Sequence, residues 1–194
     1  MTRYNAIEFD FFGVLCSDPL TEWFICNGMQ RFEAEFRRNV VVEKADVGEI
    51  SFSEMCAQLA RMTRRDAQSL EEEILRLAVI DEHMMGLCRR LKSAYRIGLC
   101  SNAPSGLIQA IMPENQLATA FDCLTISSSI GKGKPADEIF HHMLHSLGST
   151  PKETIFIDDN QANVEASRKL GLEGLLFSNQ CRLETDLKKL GLMQ

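Results

Sequence analysis

The apolar and polar positions change rhythm along the chain, and each rhythm predicts a different kind of element. Asn5–Leu15, NAIEFDFFGVL, sets Ala6, Ile7 and Phe9 in a short apolar run that ends on Asp10. Gly13 then breaks the pattern. This is the signature of a buried strand that delivers one carboxylate to its C-terminal edge and turns sharply at the glycine. From Cys16 to Ile80 nothing alternates with period two. Asp18-Pro19 reads as a helix N-cap with proline at the first helical position. Behind it Trp23, Ile25, Met29, Phe32 and Phe36 recur at near-helical spacing, and the aromatic residues among them are expected to pack the segment. Ser51-Phe52-Ser53-Glu54 is a capping-box pattern ahead of Met55, Cys56, Leu59 and Met62, which share one helix face. A third helix is expected over Asp66–Leu77, with Glu71, Glu72 and Glu73 on its wet side.

From Asp81 onward helices and strands alternate. Helices are expected over His83–Lys92, Pro104–Met112, Pro135–Leu147 and Asn160–Leu170. Strands are expected over Arg96–Cys100, Asp122–Ser127, Thr154–Ile157 and Gly174–Phe177. Such alternation implies right-handed βαβ crossovers and a parallel sheet with helices on both faces. The expected fold is therefore α/β, with a Rossmann-like core built from residues 1–15 and 81–194 and an all-helical cap inserted at 16–80.

Composition narrows the function. At 194 residues the chain can bury one good core and carry a smaller insertion. A formal charge of −6 argues against a nucleic-acid partner, because a phosphate backbone calls for a basic surface. No apolar run approaches the ~20 residues needed to span a bilayer, which argues against a membrane role. The first ten residues run straight into a strand, so no signal peptide is expected. Seven cysteines without a CxxC pair fit the thiol pattern of a reducing cytosol, so a cytoplasmic location is expected.

The chemistry gathers where the strands end. In a parallel sheet the C-terminal ends converge on one edge, and here they carry Asp10, Ser101-Asn102 and Asp158-Asp159. The loop after the third strand adds Lys134 within Gly131-Lys132-Gly133-Lys134-Pro135. Three carboxylates cannot sit unpaired together at low dielectric. A divalent cation plus one lysine would bring the sum to zero, and oxygen ligands with room for water and phosphate suit Mg²⁺. The constellation implies a Mg²⁺ site beside an anion site. His141 and His145 have the i,i+4 spacing of a metal pair but lack an HExxH context, and they read as surface residues. Lys132 reads as solvated, and Cys16 and Cys100 as small buried hydrophobes.

In register, these residues resemble the four motifs of the haloacid dehalogenase superfamily, over the core but not the insertion. Its first motif usually reads Asp-x-Asp-Gly-Thr/Val-Leu/Ile; here it reads Asp10-Phe11-Phe12-Gly13-Val14-Leu15. The resemblance implies that Asp10 is the nucleophile forming an aspartyl-phosphate. It implies that the Ser101 hydroxyl and neighbouring N–H groups, Asn102 included, hold phosphate, and that Lys134 neutralises nucleophile and phosphoryl group. It makes Asp10, the Phe12 carbonyl, Asp158 and Asp159 the magnesium ligands. The helical insertion resembles a C1-type cap, and its GEISFSE segment resembles small sugar-phosphate phosphatases.

Phe12 stands where the phosphatases of that superfamily carry their general acid–base. Such proton transfer is worth ~10²–10⁴-fold in rate. A Mg²⁺-dependent phosphohydrolase acting on a small phosphorylated metabolite, slow or narrow in range, is the function expected. Two alternatives stand beside it. A phosphate- or metal-binding protein that lost the chemistry would also tolerate Phe12. A 2-haloacid dehalogenase carries an aromatic residue there too, but works without metal and generally lacks an acid pair such as Asp158-Asp159.

Overall fold

Five short runs of apolar residues become β1 (Ala6–Phe9), β2 (Arg96–Ser101), β3 (Cys123–Ile126), β4 (Thr154–Asp158) and β5 (Glu173–Leu176). In the computed structural model, which describes residues 3–193, they form one sheet in the order β3-β2-β1-β4-β5 with every pairing parallel. Met1, Thr2 and Gln194, within the expected core segments, lie outside the described residues. The central strands β1 and β4 are buried along their whole length, as strands covered on both faces must be. The chain passes from β1 to β2 and β3 on one side, then crosses back to β4 on the other. The crevice above the ends of β1 and β4 is therefore the topological switch point, where ligands bind in open α/β sheets. Register does the rest: Phe9 pairs with Leu99 on one side and Ile157 on the other, so Asp10 comes to lie beside Asp158.

Helices flank the sheet. These are α5 (Glu82–Leu91), α6 (Leu107–Ile111), α7 (Glu114–Ala120), α8 (Ser127–Ile130), α9 (Asp137–Leu147), α10 (Gln161–Lys169) and α11 (Gln180–Lys189). α9 packs against β2 and β3, and α10 against β4 and β5. Neither α7 nor α11 is among the sequence expectations. α7 spans barely two turns behind Pro113, and α11 buries only Leu183 and Leu187, too little periodicity to read.

Between β1 and α5 lie four helices that pack on one another: α1 (Pro19–Cys26), α2 (Arg31–Asp46), α3 (Phe52–Thr63) and α4 (Ala67–Arg76). Their starts follow the chemistry expected. The Asp18 carboxylate accepts from the Leu20 and Thr21 N–H groups, and Ser51 and Glu54 form a reciprocal capping box. The chain leaves and re-enters the sheet by two segments that run side by side. Asp81 N–H donates to the Leu15 carbonyl at 2.8 Å and Ser17 N–H to that of Val79 at 3.0 Å.

Within these helices three expectations are corrected. The apolar series from Trp23 to Phe36 spans two helices, because Gly28 takes a positive φ of 92° and turns the chain between them. Phe32 and Phe36 do not pack the segment; they are 85% and 62% exposed. The buried face of α2 is made instead by Ala34, Val42 and Ala45, whose small side chains let the helix approach its neighbours. Met62 likewise leaves the buried face of α3 and is exposed, while Met55, Cys56 and Leu59 stay within it. Among the described residues no helix is long and apolar enough to cross a membrane.

Candidate active site

The Lys134 ammonium is the centre of the site. It lies 2.8 Å from Asp10 Oδ1 and 2.7 Å from Asp158 Oδ2, and donates to the Cys100 carbonyl at 2.8 Å. Three protons thus meet three acceptors in a fully desolvated position. Burial alone would pull its pKa down, but the two carboxylates outweigh it and hold the ammonium above the usual lysine range. The loop that carries Lys134 is pinned by Asn102. Its Oδ1 accepts from Lys134 N–H at 2.7 Å and its Nδ2 donates to the Lys134 carbonyl at 2.8 Å. Gly133 makes room for this clasp, since a Cβ there would come within 2.8 Å of Asn102 Oδ1.

One ammonium does not balance the carboxylates around it. Asp10, Asp158 and Asp159 each offer an oxygen, and the three oxygens lie within 4.8 Å of one another. The Asp10 carboxyl is raised to about 7, by burial above all, with Asp158 and Asp159 adding to the rise and Lys134 opposing it. Burial and Asp158 likewise push Asp159 up to about 6. Oxygen-only ligands carrying surplus negative charge are the donor set of a hard divalent cation, so the residues present fit one. The two acids of the pair play different parts. Asp158 is fully buried, and its oxygens take up the Asn160 N–H, both at 3.1 Å the Asn163 amide, and the Lys134 ammonium. Asp159 is exposed to the cavity. Gly13 permits this: it has a φ of 86°, and a Cβ on it would fall 2.1 Å from Asp159 Oδ2. The Phe12 carbonyl accepts no backbone hydrogen bond from the described residues of the turn, which leaves it available as a further oxygen ligand.

Ser101 ends β2, fully buried, with no hydrogen-bond partner for its Oγ among the described residues. The neighbouring Ala103 N–H donates to Ser127 Oγ at 3.0 Å. The Phe12 ring is 8% exposed and packs edge-on against Phe11, with the ring centroids 5.0 Å apart. Beside Asp10 and Phe12 opens a cavity of about 480 Å³, which Asn102 lines and the fully buried Ser101 does not. Asp10, Phe12, Lys134 and Asp159 line it from the sheet, and Asp18, Glu22, Arg31 and Arg38 from α1, its N-cap and α2.

Two residues of the site lie beyond the sequence expectations. Asn163 steadies Asp158, and its only signal was its place one turn into the helix after the acid pair. Arg38 had no signal, because its contribution depends on how α2 is docked. His141, His142 and His145 are exposed on α9, and among the described residues no metal-competent cluster of three or more side chains includes them.

Fold and site together define a Rossmann-like α/β protein with an acid-and-lysine crevice at its switch point. Residues 4–171 match the family model described as haloacid dehalogenase-like hydrolase, and the chain belongs to that family. It is 28% identical over 182 residues to D-ribitol-5-phosphate phosphatase of Bacteroides thetaiotaomicron, covering 86% of this chain and 88% of that one. Among solved structures, a HAD-like family hydrolase from Porphyromonas gingivalis superposes with a TM-score of 0.78 at 24% identity, over 99% of this chain and 100% of that one. A HAD family enzyme of Bacteroides thetaiotaomicron, solved with magnesium and inorganic phosphate, superposes with a TM-score of 0.76 at 22% identity, over 93% and 98%.

Proposed function

We propose that the protein is a Mg²⁺-dependent phosphatase that hydrolyses a small phosphomonoester through an aspartyl-phosphate on Asp10. The observation that carries this reading is the trio of carboxylates within 4.8 Å of one another, with the Lys134 ammonium 2.8 Å from Asp10. The relative named D-ribitol-5-phosphate phosphatase supports a phosphomonoester as substrate. The structural neighbour solved with magnesium and inorganic phosphate holds the two species this crevice would be asked to hold. Asp10, Asp159 and the Phe12 carbonyl would hold the cation, with Asp158 fixing Lys134 and completing the acidic set. When bound, the cation neutralises charge on the transferring phosphoryl group. In this reading residues 16–80 are a cap whose inner wall, α1 and α2, contacts the alcohol part of the substrate.

The chain's own residues then divide the work. Asp10 is aimed by its place at the end of β1 and kept in line by the Lys134 ammonium. Lys134 offsets the negative charge of nucleophile and phosphoryl oxygens as they approach. The Ser101 hydroxyl and the backbone beside it would receive the phosphoryl oxygens. Phe12 supplies no proton, so substrates with good leaving groups should fare better than simple alkyl phosphates. The acid pair Asp158-Asp159, gathered with Asp10, speaks against dehalogenation.

Phosphate release from aryl, sugar and alkyl phosphates, with Mg²⁺ and with EDTA, tests the reading in wild type, Asp10→Asn and Phe12→Asp. The expected result is Mg²⁺-dependent turnover in wild type, abolished in Asp10→Asn, and a gain of ~10²-fold on alkyl phosphates in Phe12→Asp. Turnover that survives Asp10→Asn, or no release by wild type on any substrate, would overturn it.

A further inference from the structure

Phe12 leaves the alcohol end of the crevice without a proton donor, and α2 brings a cation to that wall. Arg38 lines the same cavity as Asp10 and Phe12, although its side chain is only 16% exposed. Two carboxylates hold it there. Nε donates to Asp18 Oδ2 at 2.8 Å, and Nη1 reaches Asp46 Oδ2 and Asn39 Oδ1, each at 3.4 Å. Nη2 has no hydrogen-bond partner among the described residues, and the Asp10 charge is felt at the guanidinium. Of the other acids that line the cap wall, Asp18 and Glu22 are engaged, and Glu35 stays 55% exposed with only a 4.0 Å approach to Arg31. Asp18 spends one oxygen on the start of α1 and the other on Thr21 Oγ1 and Arg38, and Glu22 pairs with Arg31 at 2.9 Å.

We propose that Arg38 is a catalytic residue that stabilises the leaving oxygen as a hydrogen-bonded cation, in place of the proton transfer that Phe12 cannot make. The inference rests on the phosphatase reading above. An Asp10 oxygen attacks phosphorus and the bond from phosphorus to the ester oxygen breaks, its electron pair going to that oxygen. The resulting alkoxide is held by the Arg38 guanidinium and takes a proton from water, leaving hydroxide. A second water then attacks phosphorus, and the bond to the Asp10 oxygen breaks to return the carboxylate. The proton this water releases neutralises the hydroxide, so the products are alcohol and hydrogen phosphate. A guanidinium does not lose a proton at any physiological pH, so it acts by charge and hydrogen bonding alone. Preorganised donors at a developing oxyanion are worth ~10²–10³-fold in rate. The pair of flanking carboxylates fixes Arg38 before substrate arrives, which is what such preorganisation requires.

The test is kcat/KM over a series of phosphomonoesters whose alcohols span a wide pKa range, in wild type, Arg38→Gln and Arg38→Lys. Arg38→Gln is expected to lose ~10²-fold on alkyl phosphates and little on nitrophenyl phosphate, so that dependence on leaving-group pKa steepens. Arg38→Lys is expected to recover part of the alkyl activity. A loss of equal size for every leaving group would mean that Arg38 only braces the cap, and would overturn the inference while leaving the phosphatase reading intact. Should Arg38→Gln fail to fold, wild type in D2O decides. With no proton in flight at bond cleavage, kcat/KM should show no normal solvent isotope effect. A clear normal effect would hand the role to a proton donor such as Glu22 and overturn it. Silence from wild type on the whole series would instead defeat the phosphatase reading itself, and this inference with it.

Discussion

Glu8 shows how far one side chain's behaviour can depart from its identity. It sits in the middle of β1 with no exposure, on the same face of the strand as Asp10. Gly98 on the neighbouring strand makes the space, since a Cβ there would fall 2.2 Å from Glu8 Oε1. The only hydrogen bond to its side chain among the described residues comes from the Cys123 thiol at 3.7 Å, and Oε2 has none. Burial pushes the carboxyl well above its usual range, against weaker pulls from Cys123 and Lys134. An acid raised in the folded state binds more protons there than in the unfolded chain. Its stability contribution is therefore complete below the unfolded value near 4.5 and is lost as pH climbs toward the folded one. Glu8→Gln has no proton to lose. Its melting temperature should stay close to wild type at pH 5 and fall less steeply as pH rises, a difference that thermal melts across pH 5–9 would read directly.

At the scale of elements, α2 carries three faces with different tasks. Ala34, Val42 and Ala45 bury it, and Arg31 and Arg38 line the cavity, while Phe32, Phe36 and Val40 stand in solvent. A side chain with little buried area has little to lose on substitution. Phe32→Ser and Phe36→Ser should each shift unfolding free energy by less than about 0.5 kcal/mol in urea titrations. Leu70→Ala, in the buried face of α4, should cost about 2–5 kcal/mol by the same measurement. A large loss from either phenylalanine would mean that the outer face of α2 is covered in solution. The periodicity of the sequence found this helix and its neighbours but misassigned the phenylalanines, because helical spacing says which residues share a face and not which face meets a neighbour. The same limit hid Arg38. By contrast Asp18 and Ser51 cap their helices as expected, since a cap is settled within a few residues of chain, while Asp66, expected as the first helical residue, is the N-cap of α4.

For the whole molecule, electrostatics sets the largest debt. The chain carries a formal charge of −6, and the crevice gathers Asp10, Asp158 and Asp159 around a single ammonium. A cation that binds only the folded protein stabilises it by mass action, by about 2.7 kcal/mol at a hundred times its dissociation constant. For a chain of this size that corresponds to a rise in melting temperature of about 5–10 °C. Scanning calorimetry with Mg²⁺ and with EDTA should show the rise in wild type, and Asp159→Asn should lose most of it. An identical melting temperature in both conditions would remove the cation from the account of this site.

What the sequence determined by itself was the parallel α/β order, the run of helices between the first two strands, and the set of polar residues at the strand ends. Each follows from local signals, namely apolar periodicity, caps and turns, together with the rule that parallel strands bring their C-terminal ends to one edge. Tertiary structure alone decided how those residues divide the work. It turned Asn102 into a clasp on the Lys134 loop, tied Asp158 to Lys134 and Asn163, left Asp159 facing the cavity, and placed Arg38 in the wall of the cavity that Asp10 also lines. The physical reason is that hydrogen-bond partners, burial and the field at a charge come from groups far apart in the chain. Lys134 meets Cys100, Asp158 and Asp10 only because the sheet register brings three strand ends together.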